Sequence, residues 1–279
     1  MYNAPPPIAT GAARTEPAGA NFNRRKRSKA SAPPCPAGGA SRLIHFGGPV
    51  AARIFPLVLY AGGEARRRDV AVSGLVVAGW TGRDKAAVQR HIAELAAIGV
   101  KPPAATPIFY RAAAARLTLD DEIEVLGEAS SGEAEFLLLQ HGGRLWVGAG
   151  SDHTDREVEK YGVSVSKQMC DKPIAAAFWA YDELAPHWDK LILRAHILEA
   201  GRRALYQEGP VAAMLDPLSL IGRFADKNAL DEGTLMFCGT LAARGGVRSS
   251  ETFEFELDDP VLGRKIGRRY RARTLPVLG

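Results

Sequence analysis

Two glutamates separated by one residue stand at the start of a strongly apolar segment. The segment reads Gly132-Glu133-Ala134-Glu135-Phe136-Leu137-Leu138-Leu139. A β-strand here would place Glu133 and Glu135 on one face, with Cα atoms about 6.6 Å apart, and that face continues with leucines. Paired carboxylates on a face that becomes apolar repel each other and lose hydration, and a divalent cation relieves both costs. The alternative is an exposed strand end where both carboxylates lie in water.

A second acidic group follows the next apolar run, Leu145-Trp146-Val147, and reads Gly150-Ser151-Asp152-His153-Thr154-Asp155. Asp152 therefore lies just beyond a predicted strand, where side chains can converge on a site without joining the core. Three carboxylates from two adjacent strands favour Mg²⁺ or Mn²⁺, which prefer oxygen ligands. A zinc site would need nitrogen or sulfur, and His153 is the only nearby candidate. We interpret His153 instead as a helix cap or a surface histidine.

The order and spacing of these residues resemble the fumarylacetoacetate hydrolase-like superfamily, and more closely the bacterial family called domain of unknown function 2848. The superfamily carries Glu-x-Glu on one strand, then Asn-Asp and an arginine. Glu133 and Glu135, then Ser151-Asp152 with Arg156, match these elements. The resemblance covers roughly residues 55–278. The segment between Glu135 and Asp152 is shorter than the superfamily commonly shows, so we expect a helix or lid to be missing.

The same resemblance implies roles for residues elsewhere in the chain. A superfamily lysine follows the aspartate by about twenty residues, and Lys172, or alternatively Lys167, would donate to the substrate's oxygens. Gly239 and Thr240 match a strand whose threonine helps to hold the substrate carboxylate, and Arg156 is a further substrate-binding candidate. In the segment His91-Ile92-Ala93-Glu94, the histidine and glutamate resemble a dyad that positions or deprotonates water. The other interpretation of that pair is a solvated contact on a helix flank.

The function that the resemblance implies is a divalent-metal-dependent enzyme acting on a 2-oxo acid or an acylpyruvate-type substrate. The reaction would be C–C bond hydrolysis, decarboxylation or isomerisation, with the ion stabilising an enolate. The alternative is an inactive member that serves as a small-molecule-binding or scaffold protein. The short segment and the absence of the superfamily's Asn-Tyr pair favour the alternative, whereas the retention of three clustered carboxylates favours the enzyme. A homodimer is also implied.

The pattern of apolar residues predicts an α+β, mainly β fold with few helices, and the resemblance specifies a β-roll or sandwich of the fumarylacetoacetate hydrolase C-terminal type. Strands are expected at 42–46, 54–60, 70–79, 122–127, 134–139, 144–149, 189–198, 202–208, 234–239, 251–257 and 265–275. One helix is expected from Thr81 to Gly99, because Thr81 and Asp84 resemble a capping box and apolar residues recur at helical spacing. A second helix is expected near 217–225. Strands that follow one another without regular helices disfavour a doubly wound parallel sheet.

Charge and composition divide the chain into a tail and a folded body. Residues 1–40 are rich in proline and alanine and hold six basic residues against one acidic residue, which leaves 30 of each in 41–279. We therefore predict a disordered basic tail over 1–40 and a single catalytic domain over 41–279. A neutral body disfavours nucleic acid as a partner and leaves a small molecule. The basic cluster 24–27 is interpreted as solvated, with a targeting or nucleic-acid element as the alternative.

The length of the apolar runs and the spacing of the cysteines indicate the cellular compartment that we expect. No run approaches the roughly 20 residues that cross a bilayer, so no membrane partner is expected. Cys35, Cys170 and Cys238 form no Cys-x-x-Cys motif, which argues against a disulfide framework or a thiolate zinc site and favours a reducing cytoplasm. Cys170 is interpreted as a buried cysteine rather than a reactive one.

Overall fold

The computed structural model describes residues 52–97, 102–225 and 229–278. The predicted tail over 1–40 and the predicted strand over 42–46 lie outside the described residues. The domain boundary at residue 41 therefore stays a prediction. In the described ranges no helix has the length and apolar character needed to cross a membrane.

Strands dominate the described residues, and five α-helices accompany them there. The strands are β1 Arg53–Ala61, β2 Glu64–Val72, β3 Gly74–Gly79, β4 Ile108–Ala112, β5 Leu117–Thr118, β6 Glu122–Leu126, β7 Ser130–Ser131, β8 Ala134–His141, β9 Arg144–Ser151, β10 Thr154–Asp155, β11 Lys172–Pro173, β12 Ala177–Ala180, β13 Ile192–Glu199, β14 Arg202–Pro210, β15 Thr234–Thr240, β16 Thr252–Asp259 and β17 Arg264–Leu275. The helices are α1 Lys85–Ala97, α2 Arg156–Glu159, α3 Val163–Met169, α4 Tyr181–Leu184 and α5 Pro217–Phe224.

Two large sheets pack face to face around the main core. One has eight strands in the order β2-β1-β12-β9-β8-β15-β3-β4, and the other has five in the order β14-β13-β16-β17-β6. Phe136 on β8 and Phe255 on β16 belong to the core cluster between them. A second cluster, which includes Leu57, Leu137 and Phe237, covers the opposite face of the eight-stranded sheet. This arrangement confirms the predicted mainly β, α+β fold with few helices.

The hairpin of β8 and β9 fixes the register on which the site depends. Its two-residue turn is Gly142-Gly143, with φ values of 62° and 72° that glycine adopts without strain. The register then pairs Ala134 with Ser151 and Glu135 with Gly150. Because β8 alternates between the two apolar clusters, its continuous run of leucines is buried on both faces.

The helix ends show which residues cap them. The predicted helix near 217–225 is α5, in which the Asp216 carboxylate accepts from the Ser219 N–H and Pro217 occupies the first turn. The predicted capping box at Thr81 is wrong, because Asp84 Oδ1 accepts from the amides of Ala86 and Ala87 at the start of α1. Thr81 is buried instead.

The single strand expected at 70–79 is two strands, β2 and β3, with β2 beginning at Glu64. The first half of β2 is exposed and carries three consecutive arginines, Arg66 to Arg68. Charged side chains are common on a sheet edge, where they discourage pairing with other chains. In β2 they interrupt the alternation of apolar residues by which a strand is recognised in a sequence. Likewise the strand expected from 189 begins at Ile192, after a 3₁₀ helix over Ala185–Lys190.

Candidate metal and substrate site

Three carboxylates meet at one end of the eight-stranded sheet. Glu135 lies on β8, Glu133 immediately precedes that strand, and Asp152 immediately follows β9. The Asp152 amide donates to the Glu133 carbonyl at 2.9 Å, which holds the two chain segments together. One carboxylate oxygen from each of the three residues lies within 4.8 Å of the others. The structure thus brings together the three residues predicted to bind a cation.

Lys167 of α3 reaches into the same cluster. Its Nζ lies 2.7 Å from Asp152 Oδ2 and 2.9 Å from Glu133 Oε2, and 3.7 Å from Glu159 Oε1. It also donates to the Thr154 hydroxyl at 3.1 Å. The resemblance offers Lys167 as the alternative to Lys172, and of these two lysines it is Lys167 that borders the cavity described below.

Lys172, at the start of β11, lies on the far side of Asp152. Its Nζ is 2.9 Å from Asp152 Oδ1, both side chains are fully buried, and the ammonium also donates to the His153 carbonyl. Lys172 is absent from the cavity wall. A lysine that does not border the cavity does not fit the predicted role of donating to a substrate there. Its contact with Asp152 fits a residue that fixes that carboxylate.

Charges within the cluster shift the pKa values of its carboxyl groups in opposite directions. Burial raises the pKa of Glu135, and the negative charges of Asp152 and Glu133 raise it further, well above its ordinary value. Burial also opposes ionisation of Asp152, but Lys167 and Lys172 hold its pKa well below the ordinary value. The pKa of Glu133 is likewise lowered, since Arg156 and Lys167 outweigh its burial. Glu135 is thus the carboxyl group whose charge the chain compensates least.

Arg156 begins α2 and was predicted to bind substrate. Its Nη1 donates to Glu133 at 3.1 Å and to Glu159 at 2.9 Å, and its Nε donates to the Ser131 hydroxyl at 2.7 Å. The guanidinium is therefore engaged by protein acceptors and orients Glu133, although it borders the cavity.

Gly239 and Thr240 close the site from β15. The Gly239 amide donates to Glu135 Oε2 at 2.6 Å. Gly239 has a φ of +99°, and an added Cβ would lie 1.8 Å from the Thr81 hydroxyl, so only glycine fits here. The Thr240 hydroxyl donates to the Ala134 carbonyl at 2.8 Å and accepts from Gln207 at 2.8 Å. Both residues border the cavity, but the Gly239 amide and the Thr240 hydroxyl already donate to protein acceptors.

The remaining sequence predictions fall in three classes. The helix α1 includes positions 91 and 94, but the side chains of His91 and Glu94 lie outside what the structure describes, so their role stays a prediction.

The interpretation of His153 as a cap or surface residue is wrong: it is 1% exposed, and its ring nitrogens lie 2.7 Å from the Tyr270 hydroxyl and 2.9 Å from that of Ser130. Its burial lowers its pKa to about 3. Cys170 is buried as expected, and burial raises the pKa of its thiol to about 11.

The carboxylates form part of the wall of a cavity of 1110 Å³. Trp80, Tyr110 and Gln207 also border it, and the sequence reasoning assigned none of them a role. Burial raises the pKa of Tyr110. Gln207 accepts from the Ala134 amide at 3.0 Å and donates to Thr240, so it ties β14 to the strands that carry the site.

The donor set fits a hard divalent cation such as Mg²⁺ or Mn²⁺, which favour carboxylate oxygens. Each carboxylate oxygen has two lone-pair directions, so ammonium contacts do not exhaust the acceptors of Asp152. Within the described residues the ammonium groups of Lys167 and Lys172 contact its two oxygens. The charges are also unequal, with four carboxylates and three cations: Glu133, Glu135, Asp152 and Glu159 against Arg156, Lys167 and Lys172.

Comparison with known proteins supports the resemblance. A family model described as "Protein of unknown function (DUF2848)" matches residues 78–270. A similar fold occurs in 2-keto-3-deoxy-D-arabinonate dehydratase complexed with magnesium and 2,5-dioxopentanoate, at 14% identity and a TM-score of 0.54, covering 78% of this chain and 79% of that chain. Cg1458 with inhibitor is similar at 15% identity and a TM-score of 0.52, covering 76% and 81%. No curated protein matches the sequence.

Proposed function

The chain belongs to the DUF2848 family, and from that premise and its resemblance to the fumarylacetoacetate hydrolase-like superfamily we propose that it is a divalent-metal-dependent enzyme acting on a 2-oxo acid or acylpyruvate-type substrate. The observation that carries the proposal is the meeting of Glu133, Glu135 and Asp152 within 4.8 Å at a large cavity. The magnesium and the oxo compound named with the similar dehydratase structure support the same chemistry. Hydrolysis, decarboxylation and isomerisation remain the candidate reactions.

Glu133, Glu135 and Asp152 would hold the ion, with Mg²⁺ or Mn²⁺ as the candidates. When bound, the ion would act as a Lewis acid that stabilises negative charge developing on the substrate's 2-oxo group. A carboxylate with a raised pKa, such as Glu135, is the group whose ionised form gains most from a nearby cation.

The chain's own residues would position the substrate and the ligands. Lys167 borders the cavity, and its ammonium, which now contacts Asp152 and Glu133, would be released to donate to an oxygen of the substrate when those two carboxylates hold an ion. Lys172 fixes Asp152 from behind, Arg156 orients Glu133, and the Gly239 amide orients Glu135. We assign these three residues positioning roles.

The general base is a separate proposal. His91 with Glu94 is our candidate for positioning or deprotonating water, as the family resemblance implies, because a histidine titrates near neutral pH. A cytoplasmic location and a homodimeric state are likewise proposals. The buried, unpaired thiols of Cys170 and Cys238 support the first of these.

A metal-free ligand-binding protein is the second candidate. The observation that favours it is Lys167, whose ammonium compensates the charges of Asp152 and Glu133. In that case the cavity would bind a small molecule without chemistry.

Thermal melting with and without Mn²⁺ separates the two candidates. An ion that binds only the folded state adds about 2.7 kcal/mol of stability at 100 times Kd. Glu135→Gln should abolish this gain, because an amide is a poor cation ligand. The metal-free variant should be at least as stable as the wild type, since the neutral amide removes a buried charge that its surroundings disfavour.

The matched control is Glu251→Gln, which neutralises an exposed carboxylate and should keep the Mn²⁺ gain. A screen of acylpyruvates and oxaloacetate with mass detection of products then tests turnover. A wild type that melts at the same temperature with and without Mn²⁺ or Mg²⁺ would support the binding protein over the enzyme.

A further inference from the structure

The cavity is much larger than its polar end. Ligand cavities of roughly 300–1,000 Å³ suffice for drug-sized molecules, and this one measures 1110 Å³. The carboxylates, Arg156 and Lys167 occupy one part of its wall. Much of the remaining wall is apolar and includes Trp80, Val88, Ala213, Leu241, Ala243 and Val247.

Small side chains create this room. The 3₁₀ turn Val211–Ala213 contributes Ala212 and Ala213, and the segment after β15 contributes Ala242 and Ala243. At these positions the wall consists of methyl groups and backbone, so a branched or aromatic group can lie against it. Leucine or phenylalanine at the same places would fill the space.

The charged residues of the wall outside the carboxylate cluster are engaged with other groups. Arg83 donates to both oxygens of Asp189 at 2.9 and 3.0 Å. Asp84 caps α1, and Lys160 lies 2.7 Å from Glu157. A second carboxylate at the far end of a substrate would therefore have to replace the partners that Arg83 and Lys160 already have.

We propose that the substrate is a 2-oxo acid carrying a large apolar acyl or aryl group, which lies against Trp80, Leu241 and the alanines at 213 and 243. This inference rests on the proposed function, because the oxo acid end is assigned to the carboxylate cluster and Lys167. Short oxo acids would leave the apolar wall in water, whereas a long chain removes both its own surface and that of the wall from water.

Calorimetric titration of the Mn²⁺-loaded protein with straight-chain 2-oxo acids tests the proposal. The probes are pyruvate, 2-oxohexanoate and 2-oxooctanoate, with 2-oxoglutarate as the polar-tailed comparison. Burial of one methylene corresponds to about a fourfold gain in affinity. We expect Kd to fall by about that factor per added methylene, and 2-oxoglutarate to bind more weakly than 2-oxohexanoate.

Two variants test where the apolar group of the substrate lies. Ala243→Leu and Ala213→Leu should each raise the Kd of 2-oxooctanoate more than tenfold and flatten its dependence on chain length. Ala65→Leu, on an exposed position of β2, is the matched control and should keep the wild-type dependence. Melting curves verify that each variant is folded.

The outcomes separate this inference from the proposed function. Binding that does not tighten with chain length, or that prefers 2-oxoglutarate, would overturn the apolar-tail assignment and leave the enzyme proposal standing. Wild-type chain-length dependence in both alanine variants would overturn the placement against this wall. If none of the oxo acids binds with or without Mn²⁺, the proposed function and this inference both fall.

Discussion

The ammonium group of Lys172 lies 2.9 Å from the carboxylate of Asp152, and both side chains are fully buried. The pair connects β11 to the turn after β9, so a residue outside the cavity determines where one of the candidate ligands points. Since Asp152 also contacts Lys167, two cations compensate its charge, one at each carboxylate oxygen.

Lys172→Met should therefore destabilise the protein strongly. Removing one partner of a buried ion pair costs about 3–5 kcal/mol, and because Lys167 still contacts Asp152 we expect a loss near the lower end of that range. Chemical denaturation measures the loss. The control is Lys265→Met, an exposed lysine near Glu256 and Asp258, for which a change of about 1 kcal/mol or less is expected. Equal stability of the two variants would show that Lys172 does not hold Asp152 in place.

Gly239→Ala should damage both stability and the candidate cation site. The left-handed backbone costs about 1–2 kcal/mol for alanine, and the added Cβ overlaps the Thr81 hydroxyl. Relief of that overlap moves the amide that donates to Glu135. We expect a larger loss of unfolding free energy than for Gly263→Ala, whose added Cβ meets no atom within 4 Å, and a Kd for Mn²⁺ raised about 10–100-fold. Identical losses for the two glycines would contradict the close packing at Gly239.

The sequence allowed the two halves of the carboxylate cluster to be predicted because both depend on local patterns. Alternation along 133–139 places Glu133 and Glu135 on one face whatever the strand's neighbours are. Asp152 ends the following apolar run, and adjacent antiparallel strands joined by a short turn bring their open ends together. The helix predicted near 217–225 is also present, as α5, and the structure shows that Asp216 caps its start.

The roles of the lysines could not be predicted from spacing. Lys167 and Lys172 lie five residues apart, and the choice between them depends on how α3 packs beside β10 and on where β11 pairs with β5. The burial of His153 also depends on a distant partner, because Tyr270 on β17 supplies one of its hydrogen bonds. A pattern within a few residues contains no information on such contacts.

Lys167→Met should bind Mn²⁺ more tightly than the wild type. The ammonium group contacts Asp152 and Glu133, two of the candidate ligands, and like charges 4 Å apart repel by about 4 kcal/mol at an effective dielectric constant of 20. If loss of the ammonium removes about 1.4 kcal/mol or more of that repulsion, the Kd for Mn²⁺ falls at least about tenfold. Turnover should nevertheless fall, because the substrate loses a donor. Calorimetric titration with Mn²⁺ measures the affinity, and Lys160→Met, which neutralises an exposed lysine paired with Glu157, should change it little. A weaker affinity in Lys167→Met would mean that Lys167 supports the ligands rather than competing with the ion.

The stability of the protein in acid should depend on Asp259, which lies away from the candidate site at the end of β16. Burial opposes its ionisation, but the Leu262 amide, His187 and Arg264 stabilise the carboxylate and hold its pKa below the ordinary value. A carboxyl group with a lowered folded-state pKa stabilises the protein above its unfolded-state pKa of about 4, and that contribution disappears as the pH falls through the folded-state pKa. Asp259→Asn should therefore lower the unfolding free energy by about 1–3 kcal/mol at pH 7 and by less near pH 3. Urea denaturation at both pH values, in EDTA, measures this difference, and Asp69→Asn on the exposed edge strand is the control. A difference between wild type and Asp259→Asn that does not shrink in acid would show that the charge of Asp259 is not what stabilises the fold.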